Sequence, residues 1–478
     1  MSYILCLSIY GQKEDYNWLS GDYDANSNAK NIFKFNDLGL ESIDTVVTEA
    51  NFYLTNASMS DSLGNILFYT NGLKIYNAQH QVIQNGDSVN FNWWWEYLTS
   101  NNFNDYGLNQ GTLILPDVHS KDSLWYLFHS RLDTISPQLF PNEYYVAISL
   151  LLTIIERNFS GQLEVRSKDE VLIGDTMFAG NLTACGHANG RDWWIFASKG
   201  KSNCIYQLLL DPNGIHIFDT VCAGMTPPIF GDIGYGTYTP DGSKYIKGSA
   251  LNGFDVFDFD RCSGVLTHLE SIPKASFMNP NRPVLDFVGN VVVSPNSRYL
   301  YAGPQDSLYR FDLMSSSISN SKELVYFYDT TASTPFSFVP ANLGSDGVIY
   351  QPVPILGVSF YNVLLNPDED IAGDLTFNFF IPTPRPTSHT FGNFPNYRLG
   401  PLTGSPCDTL GVGIRELGAQ IELLVYPNPA HNYVEVDYGF FPWQSKSEAS
   451  LSVKNMLGEE VLSLQLPQYS GKQILNIK

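Results

Sequence analysis

Apolar and polar positions alternate with period two along most of the chain, in short runs rich in Tyr, Phe, Val and Ile separated by Gly, Asn and Asp. Sustained 3.6-residue periodicity is hard to find, so the pattern predicts an all-β protein. One unit recurs: a strand, a turn of Pro-Asp, Pro-Asn or Ser-Asp with Gly, Ser or Asn, then an aromatic-rich strand. Its copies are SMSDSLGNILFYTNG, GTLILPDVHSKDSLWYLFHS, LTACGHANGRDWWIFAS, YGTYTPDGSKYIKGS, NVVVSPNSRYLYAGP and VPANLGSDGVIYQP. Such turns supply hairpin geometry, and the large alternating residues face a neighbouring sheet.

A second unit follows each first unit: LKIYNAQHQVI, YYVAISLLLTIIERNFSGQL, CIYQLLLDPNGI, FDVFDFDRCSGVL, SLYRFDLMSSSI and FYNVLLNPDEDI. An extra copy, NIFKFNDLGLESI, stands at residues 32–44, so seven second halves face six first halves. Four strands repeating about every 50–60 residues mark β-propeller blades. The sequence therefore predicts seven blades, within a range of six to eight. The unmatched half at 32–44 is expected to share one sheet with DLTFNFFIP at 374–382 and so close the ring. An array of β-sandwiches is the alternative that short, regularly turned strands leave open.

PDGSKYIKGS and SPNSRYLYAGPQDSLYRFDL resemble the Tyr-Val-Thr-Asn-type and WD-like repeats of exported bacterial propellers over roughly residues 30–385. A Gly/Pro-rich stretch, FPNYRLGPLTGSPCDTLGV, then leads to LLVYPNPAHNYVEV. Pro427 and Pro429 cannot donate ladder hydrogen bonds, so they mark a boundary between the ring and the C-terminal tail. Tyr426, Pro427, Asn428, Pro429 and Ala430, followed by YVEV and then by Asn455, Gly458 and Val461 in LSVKNMLGEEVLSL, resemble the type A C-terminal sorting domain of type IX secretion cargo in Bacteroidetes. The resemblance implies a small β-sandwich, the type IX machinery as a partner, and a secreted or cell-surface destination. The family pattern continues beyond the final GKQILNIK, so the sorting domain is expected to be incomplete at its C-terminus. The organisation read from the sequence is a truncated signal-peptide remnant at 1–11, a propeller at 12–400, a linker at 401–422 and the sorting domain at 423–478. An alternative for residues 1–11 is a first strand of the ring.

Composition narrows the partners. The chain has 478 residues, 44% hydrophobic and 16% charged, with a formal net charge of −21. That is enough apolar material for a large core, while the negative charge argues against nucleic acid and anionic membranes. No apolar run is long enough for a membrane span. Six cysteines at widely spaced positions (Cys6, Cys185, Cys204, Cys222, Cys262, Cys407) are no disulfide framework, though they leave room for one or two bridges in an oxidising compartment.

Candidate chemistry is sparse. HANGRDWW groups His187, Asn189, Arg191 and Asp192 beside two tryptophans, as residues able to face the channel of a propeller and bind a ligand; a hairpin turning at Asn189-Gly190 with Asp192 paired to Arg191 is the structural alternative. FNWWWEYL places Trp93, Trp94 and Trp95 in an insertion between hairpins, where aromatic faces can stack on sugars or a protein partner; read as a strand, it must bury at least one of them. DFDRCSG and NPDEDIAGD resemble calcium loops without the full ligand pattern, so no cofactor is expected beyond a calcium alternative. Catalytic motifs are lacking. The sequence reads as a binding or structural module for an unidentified extracellular glycan or protein, with a propeller hydrolase or lactonase as the alternative.

Overall fold

The computed structural model describes residues 12–21, 28–134, 145–230, 232–276, 290–304, 307–327, 341–353, 358–387, 390–408, 422–426, 433–439, 449–454, 460–466 and 470–476. The chain divides into two compact units, one spanning Gln12–Val412 and another containing Gly413–Lys478.

The first unit is a seven-bladed β-propeller whose blades are antiparallel sheets in chain order. Blade 1 is Asn17–Ser20, Ala29–Asn36 and Gly39–Val47; blade 2 is Ala57–Ser60, Ile66–Thr70 and Ile75–Asn77. Four strands make each of the others. Blade 3 is Thr112–Pro116, Leu124–Thr134, Tyr145–Arg157 and Leu163–Ile173; blade 4 is Thr183–Gly186, Trp193–Ser198, Cys204–Asp211 and Gly214–Cys222. Blade 5 is Gly236–Tyr238, Lys244–Ser249, Gly253–Phe259 and Leu266–Pro273. Blade 6 is Asn290–Val293, Tyr299–Gly303, Ser307–Asp312 and Glu323–Phe327; blade 7 is Asn342–Leu343, Ile349–Pro352, Phe360–Leu364 and Phe377–Pro382.

A common turn explains why the repeated units fold alike. In the first hairpin of blades 2 to 7 an Asp or Asn side chain accepts the backbone N–H two residues on: Asp61 from Leu63, Asp117 from His119, Asn189 from Arg191, Asp241 from Ser243, Asn296 from Arg298 and Asp346 from Val348. The short side chain mimics a backbone turn and ends the strand at a fixed place. Register then follows, and the alternating aromatics fall between blades. Trp194, Phe196, Tyr245, Phe257 and Phe259 form one such layer between blades 4 and 5, each fully buried side chain stabilising by about 1.5–3 kcal/mol.

Ring closure differs from the expectation. Residues 32–44 and 374–382 do not share a sheet: Ala29–Asn36 pairs with Asn17–Ser20, and Phe377–Pro382 pairs with Phe360–Leu364 as the outer strand of blade 7. The missing half of blade 1 is thus the four-residue strand NWLS. Aromatic packing joins the first and last blades. Trp18 lies 5.5 Å from Tyr350 and 5.3 Å from Phe391, and Phe33 lies 5.2 Å from Tyr361.

After blade 7 the chain returns across the inner strands. Asn393 Nδ2 donates to the carbonyls of Thr112 and Leu182, each at 2.9 Å, Asn342 Nδ2 to Gly392 O at 2.7 Å, and Tyr397 Oη to Ile114 O at 2.7 Å. Farther on, Arg261 Nη2 donates to Gly400 O at 2.6 Å, Leu402 N donates to Ala188 O at 2.9 Å, and Cys407 is disulfide-bonded to Cys262 of blade 5. This strap extends the ring's chain to at least Asp408, past the boundary placed at 400, because residues 401–408 are pinned to blades 4 and 5. A second disulfide, Cys204–Cys222, links two strands of blade 4.

In the second unit Glu422–Tyr426, Tyr433–Gly439 and Ser470–Asn476 form one antiparallel sheet, and Ala449–Lys454 with Glu460–Leu466 another. Tyr426 ends its strand; Pro427, Asn428, Pro429, Ala430, Asn455 and Gly458 lie outside the described residues, as do residues 1–11.

Candidate functional site: turn, axial cavity and aromatic helix

His187, Asn189, Arg191 and Asp192 come together in the first hairpin of blade 4. Asn189 Oδ1 accepts from the amides of Arg191 and Asp192, its Nδ2 donates to Asp192 Oδ2 at 2.6 Å, and Arg191 Nε donates to Asp192 Oδ1 at 2.6 Å. His187 Nδ1 accepts from Asn189 N at 3.0 Å, and its ring lies 5.4 Å from that of Trp194. Burial holds the imidazole below its ordinary pKa, and Asp192 raises that of Arg191. Gly190 takes φ +73°, and a Cβ there would stand 2.6 Å from Pro401, so the strap covers the turn. Arg261, itself buried, donates to the carbonyls of Gly186, His187 and Gly400 and ties turn to strap. The polar groups of HANGRDWW are largely spent on one another.

An axial cavity of about 530 Å³ lies between the inner strands and the strap. Asn56, Gln110, Thr237, Ser345 and Asn393 contribute amides and hydroxyls to its wall, and Tyr235, Phe391 and Phe394 contribute rings. Gln110 reaches across to the amide and carbonyl of Gly236. The charged lining residues are engaged within the protein. Asp15 forms a two-pronged ion pair with Arg398, and Asp346 accepts from the amides of Leu40 and Val348 and from Tyr350 Oη. Beside that ion pair, burial pushes the Glu14 carboxyl up to about 7. Nothing in the strap's sequence advertised the cavity, since its residues come from the inner strands of blades 4 to 7, from the segments leading into blades 1 to 3 and from a stretch without periodicity.

Trp93, Trp94 and Trp95 stand apart from both places and do not lie on a strand. They open an α-helix, Trp93–Ser100, because Asn92 caps it, its side chain accepting from the amides of Trp94 and Trp95. Trp94, Trp95 and Leu98 pack against the core, with the two indoles donating to Tyr106 O and Leu73 O. Trp93, Glu96 and Tyr97 turn outward.

Of the two acidic segments, Asp258 pairs with Lys244 and Asp260 accepts from Cys262 N and Ser263 Oγ. Asp370 meets Arg298 and Tyr299, while Asp368 accepts from Asn296 N. These four carboxylates accept from protein donors.

Comparison with known proteins adds a family for the tail and a set of structural likenesses for the ring. Residues 424–478 match the family model of the secretion system C-terminal sorting domain. The chain is a type IX secretion cargo that carries a seven-bladed propeller, and it is exported to the medium or the cell surface. Among the described residues no helix is long and apolar enough to cross a membrane. No curated protein matches the chain. Among solved structures it is similar to a putative 6-phosphogluconolactonase of Bacteroides uniformis, at 13% identity over 79% of this chain and 100% of that one, with a TM-score of 0.40. A putative 6-phosphogluconolactonase of Bacteroides fragilis gives 12%, 79%, 98% and 0.43. The periplasmic gluconolactonase of Pseudomonas aeruginosa gives 10%, 96%, 99% and 0.40. At these values the likenesses carry no argument about chemistry.

Proposed function

We propose that the propeller is an extracellular binding module that holds a small neutral polar molecule in its axial cavity. The observation that carries this reading is the lining: amides, hydroxyls and rings around about 530 Å³, with the Asp15 and Arg398 charges spent on each other. Ligand pockets of about 300–1,000 Å³ with a few placed polar groups are typical of small-molecule sites.

The test is thermal unfolding and calorimetry of the full chain with neutral monosaccharides, disaccharides and aldonolactones, each mixture analysed afterwards for products. A binder is stabilised by about 2.7 kcal/mol at a ligand concentration of 100 Kd, and the ligand is recovered unchanged. Ser345→Trp, which sets an indole on the cavity wall and narrows the space, should weaken or abolish the effect. Turnover of a lactone would replace this reading with the hydrolase alternative, and the absence of any shift across the panel would remove the cavity from consideration.

A further inference from the structure

We infer that the helix Trp93–Ser100 and its flanks form a second site, a surface platform for a neutral polysaccharide chain. Four large aromatics lie exposed within thirteen residues: Phe91, Trp93, Tyr97 and Phe103, at 52, 37, 47 and 52%. They are linked through ring contacts. Tyr97 stacks on Trp94 with centroids 5.3 Å apart and planes 15° apart, and on Phe103 at 6.3 Å and 26°. Trp93 meets Trp94 at 5.5 Å, and Phe91 meets Trp95 at 5.4 Å. An exposed aromatic cluster forgoes burial that the fold would otherwise gain, and contiguous patches of this kind mark interaction sites.

The platform is rigid. Asn92 caps the helix and also donates to Leu132 O at 2.6 Å, while the indoles of Trp94 and Trp95 are tied to backbone carbonyls beneath. Trp93 Nε1 donates to Asp133 Oδ1 at 2.5 Å, which fixes the outermost indole. Asp169 holds the approach by accepting from the amides of Asn90 and Phe91. Rings already held in position lose little conformational entropy when a ligand arrives.

Charge and size choose the occupant. The stretch FNWWWEYLTSNNFND, residues 91–105, contains no Lys or Arg, and the chain carries a net −21, so an anionic polymer is repelled. The rim supplies Glu96, Asn101, Asn102 and Asp133, whose carboxylates and amides hydrogen-bond hydroxyl groups. Four half-exposed aromatics offer roughly 400 Å², taking 150–250 Å² for each ring. That is about half of the 800 Å² per partner of a standard protein interface. Tyr97 and Phe103 lie within 26° of parallel, Trp93 and Phe91 are inclined to the indoles beneath them, and rings flanked by acceptors suit the apolar faces and hydroxyls of consecutive pyranose units.

The experiment is affinity electrophoresis of the full chain through gels containing laminarin, xylan, galactomannan or dextran, with alginate and heparin as anionic probes, at 50 and 500 mM NaCl. At least one neutral polymer is expected to retard the protein equally at both salt concentrations, and the anionic probes are not. Trp93→Ala with Tyr97→Ala should weaken retardation at least tenfold. Trp93→Phe with Tyr97→Phe, which keeps the ring faces, should stay within about threefold of the parent. Ser345→Trp in the axial cavity should leave retardation unchanged, so failure of the cavity reading and failure of this one are distinguishable. Retardation by none of the neutral polymers, or full retardation of the Trp93→Ala, Tyr97→Ala protein, overturns the proposal. Cross-linking of the platform to a protein partner that these alanines abolish, without polysaccharide binding, overturns it in favour of a protein-docking surface.

Discussion

The hairpin turn at 186–192 and the helix at 93–100 draw on the same residue types, tryptophans beside Asn and acidic side chains, yet they end in opposite states. At the turn, Trp193 and Trp194 are 7% and 1% exposed, Asp192 is shared by Arg191 and Asn189, and the strap lies over Gly190. At the helix, two of the three tryptophans anchor the element while Trp93 and Tyr97 face out. A polar and aromatic cluster in a propeller repeat is therefore no guide to function until its partners are known. What separates the two places is whether another part of the chain completes them.

The largest effect expected from breaking that difference comes from the strap. The Cys262–Cys407 bridge closes a sequence separation of 145 residues, which on chain-entropy grounds stabilises by about 5 kcal/mol. Cys407→Ser should lower stability by up to that amount in denaturant titration. Hydrogen exchange should speed up at 186–192 and remain unchanged at 91–103. Equal acceleration in both would mean that the strap does not distinguish them.

Next comes pH. His129, fully buried beneath the entry to the helix, meets Asn90 Oδ1 at 2.7 Å and Thr153 Oγ1 at 2.9 Å, and burial lowers its pKa to about 4 from 6.5. The folded state holds this imidazole neutral, so below pH 6.5 the unfolded chain binds the extra proton. Its stabilisation is complete above about pH 6.5 and is lost as the pH falls toward 4, amounting to about 3 kcal/mol. His129→Gln, which keeps a donor and an acceptor, should remove that part of the slope. An unchanged acid slope in the variant would show that another group is responsible.

Asp192→Asn weakens charge-assisted bonds inside the turn and should cost about 1–2 kcal/mol. At the helix, Tyr97→Phe removes only a hydroxyl from the outward face and should cost less than about 0.5 kcal/mol. Chemical denaturation of the two variants side by side checks the order; the reverse order would mean that the helix face is structural.

The blades were legible because their information is local: an Asx turn, alternation, and the next strand within reach. Closure was not, since the four residues of Asn17–Ser20 are too few to show alternation, and the aromatic contact of Trp18 with Tyr350 spans the whole ring. The strap has no period to detect; its contacts are single side chains such as Asn393 and Tyr397 reaching backbone carbonyls. The helix did leave a signal, Asn92 ahead of the tryptophans with Glu96 in its first turn, masked by the surrounding β pattern. At HANGRDWW the turn and the Arg191–Asp192 pair follow from adjacent residues, whereas Arg261 and Pro401 arrive from far along the chain. The sorting tail was legible as a motif in order and spacing, although Tyr426 is the one residue of its opening that the structure describes.

Hydroxyl-radical footprinting of the full chain, with and without a neutral polysaccharide that retards it, tests the contrast between the two places most directly. Trp93, Tyr97 and Phe103 should be oxidised in the free protein and protected in the complex, while Trp193 and Trp194 stay unreactive throughout. Ligand-dependent protection at Trp193 or Trp194, or an unreactive Trp93 in the free protein, would contradict the account.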